Sequence, residues 1–502
     1  MNSVHALVER QARDTPDALY AVATEGGGTI SYGELGQACR HMAAQLNAHG
    51  LKSGDTVSVV MPNGLQTLRV LLGVMHAGLT VNPVNLLSQP EQMRYVLGHS
   101  DCKLVVVAPE WESRVSALLA GMDREVAVLV ADPQGEALPS ASSGHVTAAF
   151  AAPAPESVAL LMYTSGTTGV PKGVMLTQAN LAANAHAIGV EHGLQATDRV
   201  LAVLPLYHIN AFAVTMLAPL AHGGSLAMAP RFSAARFWAQ TAQAQCSWIN
   251  LVPTMISYLL EGDTPPREQT ARLRFCRSAS AALPPEHHRA FEAKFGIDII
   301  ETMGLTETVA PSFSNPLDAG QRKLGSVGRA SGCEARVIDA TLHPLADGCT
   351  GELAIRGPNV MRGYYKNDEA TRATFTPDGW LRTGDLGHRD SDGFFFVTGR
   401  IKELIIKGGE NIAPREIDEA LLAHPAVLDA AAVGIPDRHY GQEIMACVVL
   451  REGAACSESE LHAFCVERLG RFKAPKVLRF VAALPRGPSG KVQRLKLLDL
   501  PA

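Results

Sequence analysis

The sequence lacks the features that mark several specialised classes of protein. Its nine cysteines include no CxxC pair and no Cys/His group at zinc-ligand spacing, which favours reduced thiols over a disulfide framework. No apolar run reaches about 18 residues, the length that a membrane-spanning helix needs, so no membrane span is expected. The net charge of −5 and the lack of a basic cluster give no support to a nucleic-acid partner. We therefore expect a cytoplasmic protein.

What the sequence does contain is an alternation of helix and strand patterns. With 502 residues, 47% of them apolar and 19% charged, the chain is too long for one core and predicts two or more globular domains. The N-terminal segment has the spacing of a short amphipathic helix and lacks the charge pattern of a signal peptide. Up to residue 160, the alternation predicts a doubly wound α/β fold. Its predicted helices are 32–49 and 67–76, and its predicted strands are 56–61 and 103–107.

The most informative segment is MYTSGTTGVPKG, residues 162–173. The apolar run before it, 158–162, predicts a buried strand, so the segment is expected to leave a strand end. Glycines let backbone N–H groups approach an anion, hydroxyls donate to phosphate oxygens, and Lys172 adds a compact positive charge. Gly173 after the lysine departs from the GxxxxGK[ST] loop, and GxGxxG is absent. A Ser/Thr/Gly surface linker would fit the composition, but it does not need the internal lysine and proline.

This segment resembles the phosphate loop of the adenylate-forming superfamily, which comprises acyl-CoA synthetases, aryl-CoA ligases, luciferases and the adenylation domains of peptide synthetases. The resemblance extends over essentially the whole chain, with five motif blocks in the family's order. It implies an ATP site in which the β- and γ-phosphates are held by Thr164, Ser165, Gly166, Thr167, Thr168 and Lys172.

A second block, ETMGLTET, follows a strand that the sequence predicts at 297–300. Thr306 and Glu307 place a hydroxyl beside a carboxylate, and such hard oxygen ligands hold Mg²⁺ in proteins. A glutamate on an ordinary loop explains the pair equally well in isolation. The resemblance identifies the block as the family's adenine and magnesium segment, which implies that Glu307 and Thr164 are metal ligands.

The nucleotide segment departs from the family pattern at two places. Met303, before Gly304, stands where the family usually has an aromatic ring over the adenine. Ala279 and Ser280 stand where the family usually has two glycines. Methionine can still pack on a ring through its polarizable thioether. We therefore expect Met303, Gly304 and Ser280 to contact the nucleotide.

From Gly351 onwards, strand patterns separated by Gly-Asp turns predict a small barrel-like subdomain. Asp385 is a candidate for binding the ribose, because a carboxylate can accept hydrogen bonds from both hydroxyls of a diol. Arg400 is a candidate for the opposite side of the same sugar. Alone, each would be interpreted as a solvated turn residue, but both match the family's positions.

The resemblance also implies how the chain divides into domains. An N-terminal adenylation domain, 1–399, contains the doubly wound α/β subdomains and the barrel-like subdomain. A hinge at 400–403, which includes Lys402, precedes a small mobile α+β domain at 404–502. The small domain is predicted as β-α-β-β-α-β, and its predicted elements are helices 414–423 and 458–468 and strands 428–434 and 443–450.

The small domain carries the remaining expected site residues. Lys491, on a Gly/Pro/Ser loop, matches the family's catalytic lysine for adenylation. Gly408 and Gly409 match the loop that replaces it in the thioester-forming step, and they would let a pantetheine arm pass close to the backbone. Further candidate contacts for the CoA adenine and phosphates are Tyr440, Phe472, Lys473 and Lys476.

Together these residues predict an ATP-dependent carboxylic acid:CoA ligase that forms an acyl-adenylate, with ATP, Mg²⁺ and CoA as its cofactors and co-substrates. A free-standing adenylation enzyme that loads a carrier-protein pantetheine is the alternative. The run near Phe212 has no acidic residue for an α-ammonium, which argues against amino-acid activation. The oligomeric state stays open, and a homodimer is compatible with the sequence.

The acid itself is predicted from the expected pocket walls, which are 208–212, 248–251, 278–282 and 303–309. His208 lies where the family has an aromatic residue or histidine beside the acyl pocket. These walls contain no arginine or lysine, so a second carboxylate would be buried without a partner. Such burial costs several kcal/mol. The sequence therefore predicts an apolar fatty or aryl monocarboxylic acid and disfavours dicarboxylates.

Overall fold

The computed structural model of the chain describes residues 2–136, 150–164, 170–487 and 492–500. Its strands are β1 (Leu19–Ala23), β2 (Thr29–Ser31), β3 (Thr56–Val60), β4 (Thr80–Pro83), β5 (Leu104–Val107), β6 (Ala127–Val130), β7 (Val158–Thr164), β8 (Lys172–Thr177), β9 (Arg199–Ala202), β10 (Ser225–Met228), β11 (Trp248–Leu251), β12 (Phe275–Ser278), β13 (Ile299–Met303), β14 (Phe313–Ser314), β15 (Arg329–Ala330), β16 (Glu334–Ile338), β17 (Gly351–Arg356), β18 (Gly363–Tyr364), β19 (Leu381–Arg389), β20 (Phe395–Arg400), β21 (Ile405–Lys407), β22 (Glu410–Ile412), β23 (Val427–Asp437), β24 (Gly441–Leu450) and β25 (Val477–Phe480).

The α-helices are α1 (Val4–Asp14), α2 (Tyr32–Ala48), α3 (Leu65–His76), α4 (Pro90–His99), α5 (Glu112–Leu119), α6 (Gln178–Glu191), α7 (Ala218–His222), α8 (Ala234–Gln243), α9 (Pro253–Glu261), α10 (Pro285–Phe295), α11 (Asp368–Thr374), α12 (Pro414–Leu422) and α13 (Glu458–Lys473). A π-helix spans Asn210–Leu217. No helix among the described residues has both the length and the apolar character needed to cross a membrane.

Two large, mostly parallel sheets form the N-terminal part of the molecule. The first has nine strands in the order β15-β14-β13-β12-β11-β9-β10-β1-β2, and the second has seven in the order β18-β8-β7-β4-β3-β5-β6. All residues of β3 and β5 are buried, as expected for apolar strands inside a parallel sheet. One core cluster combines residues of both sheets with residues of helices α1, α2, α3 and α6 and the π-helix. The predicted doubly wound α/β architecture is confirmed.

Local sequence explains where several helices begin. Ser31 and Glu34 form a reciprocal capping box at the start of α2, and Thr177 and Asn180 form one at the start of α6. Each box satisfies two backbone N–H groups that the first helical turn leaves unpaired. Helix α6 begins directly after β8, so this cap fixes the chain immediately downstream of the phosphate-loop segment.

The barrel-like subdomain is an antiparallel sheet in the order β16-β17-β19-β20. Strand β18 belongs to the same stretch of chain but pairs with β8 of the second large sheet. A short 3₁₀ turn, Ile401–Glu403, then leads into the small C-terminal region. That region has a five-stranded sheet, β22-β21-β24-β23 with β25 beside β24, and the two helices α12 and α13. It contains the predicted elements and begins with an additional hairpin, β21-β22.

Candidate active site

The phosphate-loop segment connects two antiparallel strands. Thr164, the last residue of β7, lies opposite Lys172, the first residue of β8. The Lys172 Nζ atom lies 4.8 Å from the centre of the Tyr364 ring. The intervening predicted phosphate contacts lie outside the described residues, as does the predicted catalytic lysine; these are Ser165, Gly166, Thr167, Thr168 and Lys491.

Glu307 and its neighbours lie at the carboxyl end of β13. Ligands of open α/β sheets bind at such strand ends. Met303 ends the strand, and Thr306 and Glu307 lie in the 3₁₀ turn that follows. The Tyr364 hydroxyl donates a hydrogen bond of 2.9 Å to Glu307 Oε1. At Gly304, a Cβ atom would come within 2.8 Å of the Ala310 and Pro311 backbone, so no side chain fits there.

Asp385 and Arg400 form an ion pair across neighbouring strands. They are directly opposite on β19 and β20, and Arg400 Nε donates to Asp385 Oδ1 at 2.7 Å. Attraction by the buried Asp385 carboxylate raises the pKa of Arg400, and Glu307 contributes to the same shift. The two expected ribose contacts are therefore together, near the candidate metal ligand. Lys402 is exposed in the turn that follows β20.

A buried arginine lies close to the expected acid pocket, and sequence reasoning missed it. Arg277, the third residue of β12, is only 1% exposed. Its Nη1 donates to Asn210 Oδ1 and to Asn250 Oδ1, each at 2.8 Å. Asn210 Nδ2 in turn donates to Ser280 Oγ at 3.2 Å. Two residues of the predicted pocket walls, Asn210 and Asn250, thus bind the guanidinium directly. Ser280, from a third wall, is linked to it through Asn210.

The electrostatic environment of Arg277 is unusual for a buried charge. Burial lowers its pKa to about 9, and the charges acting on it within the described residues include no carboxylate. Its Nε atom is buried and has no hydrogen-bond partner among them. A buried cation without a counter-ion is unfavourable, and a bound anion would remove much of that cost. The arrangement therefore suits an anionic ligand group.

Two backbone features accompany this polar cluster. Ser280 has a φ of 75°, a left-handed conformation that is costly for a residue with a side chain. Asn210 begins the π-helix, a rare conformation that is frequent at functional sites. His208 is half-buried two residues earlier, with its ring 4.8 Å from that of Tyr207. The expected pocket residues His208, Asn210 and Ser280 are therefore close together.

The position of Arg277 in the sequence could have indicated that it is buried near the acid pocket. The apolar pattern of the sequence predicts a strand at 273–276, which ends one residue before Arg277, and the predicted wall segment 278–282 begins one residue after it. In the structure the strand is shifted to Phe275–Ser278, which places Arg277 inside it. Charged side chains are rarely buried unless they are paired, so an arginine inside a four-residue buried strand is an informative observation.

The expected CoA contacts of the small domain also lie together. The rings of Tyr440 and Phe472 are perpendicular with centres 6.2 Å apart, and Lys407 Nζ lies 4.9 Å from the Phe472 ring centre. Gly408 donates its N–H to Tyr440 O at 2.8 Å. Gly408 and Gly409 have φ values of 58° and 85°, which glycine adopts readily. A cavity of about 910 Å³ lies beside the two rings.

The two lysines expected near the CoA phosphates differ in their surroundings. Lys473 Nζ donates to both carboxylate oxygens of Glu416 at 2.8 Å. Lys476, which lines the cavity, is exposed and lies 3.4 Å from Asp437 Oδ2. Lys476 is therefore the better placed of the two for a ligand in this cavity.

Comparison with known proteins places these features in one family. Residues 8–365 match the family described as AMP-binding enzyme, and residues 416–491 match its C-terminal domain. The chain is 56% identical over 499 residues to a sulfoacetate–CoA ligase of Cupriavidus necator, with 99% of this chain and 98% of that protein covered. It is 36% identical to an oxalate–CoA ligase of Arabidopsis thaliana, with 98% and 97% covered. The solved structure of ATP-bound MatB from Rhodopseudomonas palustris is 32% identical, with a TM-score of 0.92 over 99% of both chains. The chain therefore belongs to the AMP-binding enzyme family, whose motifs it carries, and it is an AMP-forming acid–thiol ligase.

Proposed function

We propose that this ligase joins CoA to a small carboxylic acid that carries a second anionic group, either a sulfonate or a carboxylate. The observation that carries the proposal is Arg277, a buried cation on which no carboxylate acts within the described part of the chain. The second anionic group of the acid would supply the missing counter-ion, while the reacting carboxylate points to the nucleotide. The names of two relatives, a sulfoacetate–CoA ligase and an oxalate–CoA ligase, support an acid of this class.

This proposal replaces the apolar acid that the sequence analysis predicts. That prediction depended on the absence of any cation in the pocket walls. Arg277 removes the premise, because its guanidinium binds the wall residues Asn210 and Asn250 directly. With that cation present, the desolvation cost of a second anion is offset by a charge-assisted hydrogen bond. An uncharged alkyl or aryl chain would instead leave Arg277 buried without a counter-ion.

The first half-reaction is the attack of the acid's carboxylate oxygen on the α-phosphorus of ATP. The bond from that phosphorus to the bridging oxygen breaks, pyrophosphate leaves with the electron pair, and an acyl-AMP forms. The nucleophile is already an anion at neutral pH, so no general base is needed. Catalysis consists of positioning the reactants and neutralising charge. In this proposal Lys172 and Lys491 neutralise phosphate charge, and Asp385 and Arg400 position the ribose.

The oxygen ligands of the site fit a divalent cation that is bound together with ATP. Glu307 offers a half-buried carboxylate and Thr164 a hydroxyl, which are the hard ligands that Mg²⁺ prefers. The ion would neutralise negative charge on the phosphates. The protein's own contribution is to hold the Glu307 carboxylate in place, and the hydrogen bond from Tyr364 restrains it.

In the second half-reaction the CoA thiol attacks the acyl carbon of the anhydride. The carbon–oxygen bond to AMP breaks, AMP leaves, and the thiol proton is released to the solvent. We propose that the small domain, 404–502, rotates about 400–403 between the two steps, exchanging the Lys491 loop for the Gly408-Gly409 loop. Tyr440 and Phe472 would hold the CoA adenine beside the cavity that they line.

A panel of acids tests the proposed substrate class. ATP–pyrophosphate exchange is measured with sulfoacetate, oxalate and malonate, and with acetate, octanoate and benzoate. We expect kcat/KM for at least one doubly anionic acid to exceed that for acetate by about 100-fold or more, the size expected for a buried charge pair. A preference for octanoate or benzoate would contradict the proposal and support the apolar alternative.

The acceptor is tested with the best acid of the panel. Thioester formation is compared between CoA and a phosphopantetheinylated carrier protein at equal concentration. We expect CoA to be the better acceptor, in agreement with the CoA ligases to which the chain is similar. A marked preference for the carrier protein would identify the chain as a free-standing adenylation enzyme.

A further inference from the structure

Strand β18 attaches the stretch of chain after β17 to the sheet that carries the phosphate-loop segment. Gly363 and Tyr364 pair antiparallel with Met175 and Val174 of β8. On one side the Arg362 N–H donates to Met175 O at 3.0 Å, and on the other the Tyr365 N–H donates to Gly173 O at 2.8 Å. The backbone of Tyr364 is therefore fixed relative to the first residues of β8.

The Tyr364 side chain contacts two groups that belong to different sequence motifs. Its hydroxyl donates to Glu307 Oε1 at 2.9 Å, and its ring centre lies 4.8 Å from Lys172 Nζ. The side chain is almost completely buried. In addition, the Met361 N–H donates to Glu307 O at 2.8 Å, so the same segment also holds the Glu307 backbone.

These contacts have a defined direction. A tyrosine hydroxyl carries its proton at neutral pH and an ionised carboxylate can only accept, so Tyr364 is the donor and Glu307 the acceptor. The hydrogen bond engages one carboxylate oxygen, which leaves the other for a cation. The electron-rich ring face attracts the Lys172 ammonium by a cation–π interaction.

We propose that Tyr364 is a positioning residue for adenylation, which orients Glu307 for the divalent cation of the nucleotide and Lys172 for its phosphates. The inference rests on the roles proposed above for Glu307 and Lys172, and it does not depend on which acid is used. Neither Tyr364 nor β18 belongs to the motif blocks from which the site was inferred.

The variant Tyr364→Phe tests the hydroxyl because it retains the ring. A hydrogen bond to a charged group is worth about 10-fold or more in an equilibrium, so we expect the Mg²⁺ concentration for half-maximal pyrophosphate exchange to rise about 10-fold. The KM for the acid should stay within about twofold, because Arg277 and its partners are unchanged. Binding of Mn²⁺ in the presence of ATP, followed by electron paramagnetic resonance, should weaken by about the same factor as the Mg²⁺ requirement.

The neighbouring residue offers a matched control. Tyr365 has a hydroxyl that donates to Asp101 Oδ2 at 2.8 Å, whereas the Tyr364 hydroxyl donates to Glu307. Tyr365→Phe should leave the Mg²⁺ requirement and the Mn²⁺ affinity unchanged. Tyr364→Leu, which removes the ring as well, should additionally raise the KM for ATP.

A double-mutant cycle separates positioning from a general loss of structure. If Tyr364 acts through Glu307, adding Tyr364→Phe to Glu307→Gln should cause no further weakening of Mn²⁺ binding. Independent, additive effects, or an unchanged Mn²⁺ affinity in Tyr364→Phe, would overturn the inference. A preference of the parent enzyme for octanoate or benzoate would contradict the proposed substrate class. It would leave the role of Tyr364 intact, because that role does not depend on which acid is used.

Discussion

At the scale of single residues, the site depends on side chains whose partners are distant in the sequence. Arg277 is bound by Asn210 and Asn250, which precede it by 67 and 27 positions. Tyr364 donates to Glu307 across 57 positions. The pattern of residues within a short stretch of sequence cannot reveal such pairs, because the two partners lie in different segments of the chain. It selected Glu307, Asp385 and Arg400 as candidates through their motifs, but it assigned no role to Tyr364 and left Arg277 between two predicted segments.

The charge of Arg277 leads to a prediction about pH. Burial lowers its pKa to about 9, so the guanidinium is charged at neutral pH and loses its proton as the pH rises through that value. We expect kcat/KM for a doubly anionic acid in pyrophosphate exchange, which involves no thiol, to fall between pH 8 and about 10. The profile for acetate should lack this fall, and so should the profile of Arg277→Gln. The same alkaline fall in the variant would assign the titration to another group.

The stability of the fold is expected to change with pH in the direction opposite to that of kcat/KM, because the titration of Arg277 is linked to folding. Because folding lowers the pKa of Arg277, the unfolded chain binds more protons than the folded one above about pH 9. The cost of the buried charge is therefore present below that pH and is relieved as the pH rises through it. A bound anion reverses this by favouring the charged form.

At the scale of secondary structure elements, most of the assignments made from sequence hold because the decisive signals are local. Helix α6 begins at Gln178 because Thr177 and Asn180, which lie within four positions of each other, cap it. Strand β18 is different, because it has two residues and exists only through pairing with β8, which lies nearly 190 positions earlier. Strand β12 is displaced from its predicted bounds because Arg277 interrupts its apolar pattern, while Asn210 and Asn250 from other elements accept its hydrogen bonds.

The turn between the two domains carries the next prediction. Lys402 is exposed in the middle of the 3₁₀ turn Ile401–Glu403. Proline fixes φ near the value that a 3₁₀ turn already has, so Lys402→Pro should preserve this arrangement and resist rotation away from it. We expect near-normal pyrophosphate exchange with thioester formation lowered by about 10-fold or more. Lys402→Ala, which leaves φ unrestricted, should retain both activities.

The two half-reactions are to be measured separately in each variant. A parallel loss of exchange and thioester formation in Lys402→Pro would show that residue 402 is not the pivot. Equal thioester formation in both variants would show that no rotation about this turn is needed.

At the scale of the whole molecule, the fold brings parts of three motif blocks together within the described residues. Lys172 and Glu307 both contact Tyr364, and Glu307 acts on the charge of Arg400, which pairs with Asp385. The order of motifs in the sequence was sufficient for the family and the reaction class. The proposed substrate class needed the three-dimensional structure, since the proposal depends on what surrounds one buried side chain.

The most direct test of this account compares Arg277→Gln with the parent enzyme. Arg272, exposed five positions earlier, provides a matched control in which a surface cation is removed. Removing one partner of a buried charge pair costs about 3–5 kcal/mol, which corresponds to a loss of about 10²- to 10⁴-fold. We expect kcat/KM for the best doubly anionic acid to fall by that factor in Arg277→Gln.

In the same exchange assay, kcat/KM for acetate and the KM for ATP should stay within about threefold in Arg277→Gln, and Arg272→Gln should match the parent enzyme for every acid. That pattern would establish Arg277 as the receptor for the second anionic group. An equal loss for acetate and for the doubly anionic acid, or no loss for either, would contradict the account.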